Sequence, residues 1–475
     1  MTNPKILQQT FLPSNSLVKS LFAGLLLIAS SCQPQKAAES EQQADERPNI
    51  IFIFGDDWGY GDLGAYGATE VKTPNLDKLA AQGTKFTQFH VTSGVCSPSR
   101  TSVITGHFPA RHRVHGHFAG NEPNARRNMP NWLDENLPVY MPRLMQEAGY
   151  TTAHFGKWHL GGGGLPHGDL SAPEPKVYGY DETRVWNGNG PTWKGDQLWP
   201  TTRYMDDDST WVHSSSRIVV DVTIDFLERN KDQGSPMFVN LWLKDPHTPL
   251  WPTDEQKAPY KGMGPDKEVY FGVLTDADRH IGRLMQALEE MGLDDNTLVI
   301  FSSDNGPAVA MPALKVGSTG GLRGRKVDVF EGGVNVPFIV RWPGKVEAGK
   351  VDSTSVLSAV DLLPTFAALA QKDLPADYRP DGENVASIFD NKSFERSKPL
   401  FWEWRFAVAD RPNGWVSAAV RDGDWKLMAD EKRERVELYN LAEDRAESKD
   451  VAAANPEKVT ELLAMWDQWK SELPE

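Results

Sequence analysis

Oxygen-bearing residues follow two of the most apolar segments of this chain. Asp56-Asp57 comes just after Asn49–Phe54 (N-I-I-F-I-F), and Asp304-Asn305-Gly306 just after Thr297–Ser302. Three carboxylates and an amide offer oxygen only, which suits a hard cation, Ca²⁺ or Mg²⁺, rather than zinc. Each group alone is an ordinary turn sequence; two of them, each behind a buried-strand pattern, point to one metal site. Two further apolar segments end in cations. Thr151–Phe155 leads into Gly156-Lys157-Trp158-His159, where Lys157 and His159 share a face if the strand continues. Met237–Leu243 leads into Lys244-Asp245-Pro246-His247-Thr248-Pro249, whose prolines restrict the loop that presents His247. The competing reading of each histidine is a satisfied structural role. For Lys326, in the glycine-rich stretch Gly320–Gly333, it is a mobile solvated side chain.

The stretch Cys96-Ser97-Pro98-Ser99-Arg100-Thr101-Ser102-Val103-Ile104-Thr105-Gly106 carries a helix start and stop, with Pro98 early and Gly106 after the end. Cys96 thereby sits at a helix N-terminus, where backbone N–H groups and the dipole favour an anion. A reactive thiolate suits that place; a small buried core residue is the plainer alternative.

The elements that must position these groups follow a strand–helix alternation from Pro48 onward, the mark of an α/β fold. Strands are expected at Asn49–Phe54, Thr151–Phe155, Met237–Leu243, Thr297–Ser302 and Val336–Arg341, and helices at Asn75–Gln82, Pro138–Ala148, Ser216–Asn230 and Val269–Met291. Open α/β sheets place their sites beyond the carboxyl ends of such strands. Residues 161–215 break the alternation as a long irregular insertion with Trp186, Trp193, Trp199, Trp211 and Asp206-Asp207-Asp208. From about Lys398 short aromatic strands (Leu400–Arg405, Ser417–Val420, Trp425–Met428) precede a helix, Pro456–Leu473, which reads as a smaller α+β subdomain. No internal repeat is visible.

The chain has 475 residues, enough for about three domain-sized units. Its 50 Lys+Arg against 65 Asp+Glu give a net charge of -15, which argues against a nucleic-acid partner. Lys5 and Lys19 precede the apolar run Leu21–Ile28, too short to span a bilayer, and Ala29-Ser30-Ser31 lead into Cys32. That order is an export signal, and the cysteine after small residues resembles a bacterial lipoprotein signal, implying cleavage before Cys32 and a lipid anchor there. Plain secretion with Cys32 free is the alternative. Residues 33–47 then form a solvated tether. The expected location is the periplasm or outer membrane. Only Cys32 and Cys96 exist, so a lipidated Cys32 leaves no internal disulfide.

C-S-P-S-R followed by T-G at this spacing resembles the signature of the formylglycine-dependent, type I sulfatases of the alkaline-phosphatase-like superfamily. The resemblance extends to D-D-W-G-Y-G-D at Asp56, G-K-W-H at Lys157, H-T-P-L at His247, D-N-G at Asp304 and L-R-G-R-K-V-D-V-F-E-G-G from Leu322 to Gly333, over about residues 48–345. E-L-Y-N-L and the last helix also look like the family's end. Arg325 departs from the glycine usual before the second lysine. The resemblance implies a large mixed β-sheet sandwiched by helices (48–397) with a smaller C-terminal subdomain (398–475). It also implies that a maturation enzyme oxidises Cys96 to formylglycine, whose hydrate is the nucleophile. Asp56, Asp57, Asp304 and Asn305 would hold the metal, most often Ca²⁺ with Mg²⁺ as the other choice. Lys157 and Lys326 would bind sulfate oxygens, Arg100 would orient the hydrate, His247 would be the general acid and His159 the base.

The tryptophans of the insertion and C-terminal strands suggest a sulfated saccharide substrate, algal glycans included, since flat aromatic faces stack on sugar rings; core packing is the competing reading. Arg405 and the charges of 161–215 are candidates for further acidic groups of a glycan. His107, His112, His115 and His117 are close in sequence, with loop or substrate roles favoured over a zinc site. Rival readings are a phosphate or phosphonate ester hydrolase of the same superfamily, a non-catalytic glycan-binding lipoprotein and, last, a thiol protease.

Overall fold

The computed structural model describes residues 47–161, 172–186, 193–195 (backbone only), 213–248, 250–308, 315–405 and 413–474. The expected signal (1–31), Cys32 and nearly all of the tether lie outside these residues, as do Trp199, Trp211 and Asp206–Asp208. Residues Asp45–Glu475 form one compact unit.

Fourteen strands are assigned in the described chain: β1 (Asn49–Gly55), β2 (Thr84–His90), β3 (Thr151–Lys157), β4 (Glu182–Trp186), β5 (Trp193–Gly195), β6 (Met237–Trp242), β7 (Thr297–Ser303), β8 (Asn335–Arg341), β9 (Lys350–Asp352), β10 (Leu357–Ser358), β11 (Leu400–Glu403), β12 (Ala418–Asp422), β13 (Trp425–Ala429) and β14 (Val436–Asn440). Ten make a mixed sheet in the order β10-β2-β8-β7-β1-β6-β3-β4-β5, with β9 beside β2. β11–β14 make a separate antiparallel sheet.

The continuous apolar run of β1 is explained by two cores. Ile50, Phe52 and Phe54 enter one, while Ile51 and Ile53 enter the other, the period-2 alternation of a strand covered on both faces. Helix α1 (Pro74–Ala81) and the helices Ser215–Asn230 and Pro265–Glu290 pack on the Ile51 side. Helix Leu362–Leu369, the C-terminal sheet and the last helix, Pro456–Ser471, join the Phe52 side.

The five expected strands of the large sheet are present within a residue or two of their expected ends. The insertion is less irregular than its composition suggests, because β4 and β5 lie within it and extend the large sheet. β2 escapes a periodicity reading: T-K-F-T-Q-F-H is only partly apolar, and its register shifts between Phe86 and Phe89 where it meets β8.

Candidate active site

β7, β1, β6 and β3 are consecutive neighbours and mutually parallel, so four carboxyl ends widely separated in sequence lie side by side. Gly55 pairs with Ser303, which sets Asp56-Asp57 beside Asp304-Asn305. Asn305 Nδ2 donates to Asp57 Oδ1 at 2.7 Å, and the Asp57 amide reaches Asp304 Oδ1 at 3.3 Å. Ser303 braces both loops, its hydroxyl accepting from the Trp58 amide and donating to the Asn305 carbonyl.

Cys96 opens a second helix, α2 (Cys96–Thr105), which ends in Gly106 at φ 66°. Every residue of α2 is buried although most are polar. Its hydroxyls are satisfied locally: Thr101 donates to the Ser97 carbonyl, Thr105 to the Thr101 carbonyl, Ser99 to the Ser93 carbonyl, and Ser102 pairs with Thr92. The Lys326 segment is tied to the approach of α2, since the Val327 amide donates to the Gly94 carbonyl at 2.7 Å. A Cβ on Gly94 would stand 2.3 Å from the Asp328 carbonyl oxygen, so this contact requires glycine.

These pieces converge. One donor atom from each of Asp56, Asp57, Cys96 and Asp304 lies within 4.8 Å of the others, and His247 joins Asp56 and Cys96 in the same way. Lys157 donates to Asp56 and Lys326 to Asp57. Arg100 grips Asp304 Oδ2 through Nε at 3.0 Å and Nη2 at 2.7 Å, and donates to the Lys157 carbonyl at 3.1 Å. Cys96, Arg100, Lys157 and the carboxylates are buried, whereas the side chains of Lys326 and His247 are 15% and 12% exposed and mark the opening.

β3 ends at Lys157, and His159 does not continue its face: the chain turns there at φ 54°. Its Nε2 lies 3.1 Å from the Phe118 carbonyl, to which it donates, leaving Nδ1 buried without a partner. His247 Nδ1 donates to the Thr248 carbonyl at 3.0 Å, and its Nε2 stands 3.9 Å from Asp57 Oδ2. Asp57 (φ 70°), His159 and Val327 (φ 71°) all have left-handed backbones, a cost that clusters at functional sites and is steepest for the β-branched valine.

The electrostatics are those of buried carboxylates crowded among lysines, an arginine and a histidine. Burial alone would raise Asp56, but Lys157, His247, Lys326 and Arg100 hold its carboxyl well below the usual range. Burial and the Asp56 charge push Asp304 up against the pull of Arg100 and Lys157. Burial, then Asp304 and Asp56, raise the Cys96 thiol far above its ordinary value, so the unmodified side chain is a thiol and not an activated thiolate. Burial opposes the charge of Lys326, yet Asp57 and its neighbours raise it. Burial and Lys326 bring His247 down to about 4, and burial and Lys157 hold His159 well below the usual imidazole range.

The Sulfatase family profile matches residues 48–372, about two thirds of the chain. The chain belongs to the sulfatase family. A second profile, described as N-sulphoglucosamine sulphohydrolase, C-terminal, matches residues 325–471 of this sulfatase. It is 29% identical to an N-acetylgalactosamine-6-O-sulfatase of Bacteroides thetaiotaomicron over 95% of its own length and 98% of the relative's. It is 35% identical to arylsulfatase A of Bos taurus, covering 80% of this chain and 74% of that one. Among solved structures, Ps i-CgsB in complex with k-i-k-neocarrahexaose superposes with a TM-score of 0.73 at 27% identity, covering 89% and 92% of the two chains. The protein is a sulfuric ester hydrolase with the alkaline-phosphatase-like α/β fold.

The other sequence candidates lie elsewhere. His107 pairs with His112 (3.3 Å) and His115 with Glu403 (2.6 Å), so the four neighbouring histidines share no centre; the groups of metal-ligand type found among the described residues are those around Asp56 and Cys96. Arg405 pairs with Glu403 beside a groove of about 540 Å³ between the C-terminal sheet and the last helix. Trp186, Trp402, Trp404, Trp466 and Trp469 are buried, so they are core residues rather than stacking platforms; Trp251 is exposed. Ser303 and the Phe118 carbonyl were not singled out in the sequence, and Asp62 stood in D-D-W-G-Y-G-D without an assigned part. Only the position of Ser303 at a strand end hinted at its part.

Proposed function

We propose that this sulfatase removes sulfate from a sulfated saccharide with a hydrated formylglycine at position 96 and a bound Ca²⁺. The observation that carries the reading is the convergence of Asp56, Asp57, Asp304 and Cys96 under Lys157, Lys326 and Arg100. The saccharide is supported by the N-acetylgalactosamine-6-O-sulfatase and neocarrahexaose relatives.

The residues present fit a hard cation. Asp57 Oδ2 and Asn305 Oδ1 are buried acceptors with no hydrogen-bond partner, next to the remaining oxygens of Asp56 and Asp304. Asp56, Asp57, Asp304 and Asn305 would hold it, and when bound it supplies Lewis-acid polarisation of a sulfate oxygen. Lys157 and Lys326 neutralise charge on the other sulfate oxygens as it builds in the transition state. Arg100 fixes the Asp304 carboxylate and Lys157's backbone, keeping both in register with position 96. His159, with its Nε2 hydrogen committed to Phe118, offers the Nδ1 lone pair to accept a proton from position 96. His247 serves the leaving oxygen through Nε2. Burial and Lys326 oppose its protonation, so the negative charge of the incoming ester is what loads that proton.

The leader supports export, with cleavage before Cys32, lipid attachment there and residence in the periplasm or outer membrane. No described helix is long and apolar enough to cross a membrane. The test is mass spectrometry of the peptide spanning residues 90–105, combined with sulfate release from N-acetylgalactosamine 6-sulfate with and without a calcium chelator. An aldehyde at position 96 and chelator-sensitive release are expected. A wholly unmodified thiol in a chain that still releases sulfate would reject the mechanism.

A further inference from the structure

One imidazole at the mouth of the site has no role in the chemistry above. Phe118 is held at both backbone ends: its amide donates to Ser97 Oγ at 3.0 Å, next to Cys96, and its carbonyl accepts from His159. The residue before it, His117, is therefore delivered to the site. Its carbonyl accepts from Arg127 at 3.1 Å, and its ring centroid stands 6.2 Å from that of His159 at 44°. The side chain is half-buried, and no described residue hydrogen-bonds either ring nitrogen. Burial and the charges of Arg127, Lys326 and Lys157 keep it neutral, with a pKa of about 4.

A neutral imidazole offers one donor and one acceptor. Sulfate oxygens only accept, and two lysines already face them. The complement of His117 is a hydroxyl, which also donates and accepts. We propose that His117 is a specificity-determining residue whose imidazole hydrogen-bonds the saccharide hydroxyl adjoining the sulfate ester. This rests on the saccharide reading above. It assigns to His117 the discrimination between a sugar sulfate and an ester lacking neighbouring hydroxyls.

The test uses the full chain carrying Cys96→Ala, which has no nucleophile at position 96, in calcium-containing buffer. Calorimetric titrations compare N-acetylgalactosamine 6-sulfate with inorganic sulfate. Adding His117→Ala should weaken the sugar sulfate about 10-fold, the scale of deleting one hydrogen-bonding group while its partner stays unpaired. Inorganic sulfate should stay within a factor of about 2, and His117→Asn, which keeps a donor and an acceptor, should recover part of the affinity. Equal weakening of both ligands, or of neither, overturns the assignment. Binding of inorganic sulfate but not of the sugar sulfate by Cys96→Ala alone would instead reject the saccharide reading, and His117's role with it.

Discussion

Two clusters of buried charge lie on either side of the Lys326 segment, and they are built differently. Behind it, Glu331 Oε1 takes Lys426 at 2.7 Å and Oε2 takes His90 and Asn335, each at 2.9 Å. Glu447 Oε2 accepts the Glu331 amide and Oε1 stands 3.0 Å from Lys426. Three of the four carboxylate oxygens there accept a hydrogen bond from the protein itself, and the fourth, Glu447 Oε1, has no hydrogen-bond donor but faces the Lys426 ammonium. In front, Asp57 Oδ2 and Asn305 Oδ1 have no hydrogen-bond donor among the described residues, the former standing 3.9 Å from His247, whose pKa of about 4 leaves it neutral, and the carboxylates crowd one another around Cys96. The rear pair of carboxylates is bridged by one buried lysine and anchors, whereas three carboxylates converging within 4.8 Å of one another and of Cys96 have affinity left for a cation. The anchor joins the C-terminal sheet to the Lys326 segment, and Arg323 extends it by donating to Glu437, Tyr439 and the Glu447 carbonyl.

Substitutions in the two clusters put this contrast at risk. Cys96→Ala should abolish sulfate release while the melting temperature stays near that of the wild type, since a small buried side chain is merely shortened; wild-type-like release would remove position 96 from the chemistry. Lys157→Ala and Lys326→Ala should each lower kcat by about 10²-fold or more, because each deletes a charge aimed at the reacting group. Near-normal kinetics in either would place that lysine outside the site. Lys426→Met should act on stability instead: it strands Glu331 and Glu447 in the interior and should cost about 3–5 kcal/mol in denaturant unfolding. Activity per folded molecule should stay within about threefold, on the scale of a second-order effect on positioning. A kcat loss as large as that of Lys326→Ala would erase the distinction between anchor and site.

The smallest effect concerns Asp62, which ties the Gly59 amide to the Ser318 amide and Tyr270. Burial raises its pKa to about 6, against the hydrogen bonds from Ser318 and Tyr270. A carboxyl raised on folding contributes stability that is full below its unfolded value and is lost as pH climbs through the folded one. The stability difference between wild type and Asp62→Asn should therefore shrink from pH 4 to pH 7, by about 3 kcal/mol at most. A difference independent of pH would mean that Asp62 is ionised throughout.

Much of the site was legible because its chemistry sits at strand ends, where an apolar run stops and polar residues begin. Asp56, Asp57, Lys157, His247, Asp304 and Asn305 all announce themselves in that way, and Cys96 does so through Pro98 and Gly106. His159 was legible by type but not by direction, because its backbone turn at φ 54° depends on contact with Phe118. The C-terminal tryptophans were ambiguous, since an aromatic in a short strand looks the same whether it faces a sugar or a core. Trp402, for instance, donates to the Val91 carbonyl inside the protein.

The α/β alternation, the oxygen-only donor set and the cationic groups that accompany it are all written in the linear chain, because they are properties of neighbouring residues. Folding in three dimensions was needed to set strands β7, β1, β6 and β3 in that order, to close Glu331 and Glu447 on Lys426, and to bring His117 to the mouth of the site. Those arrangements depend on contacts between segments tens to hundreds of residues apart, and such contacts leave no periodicity in the chain.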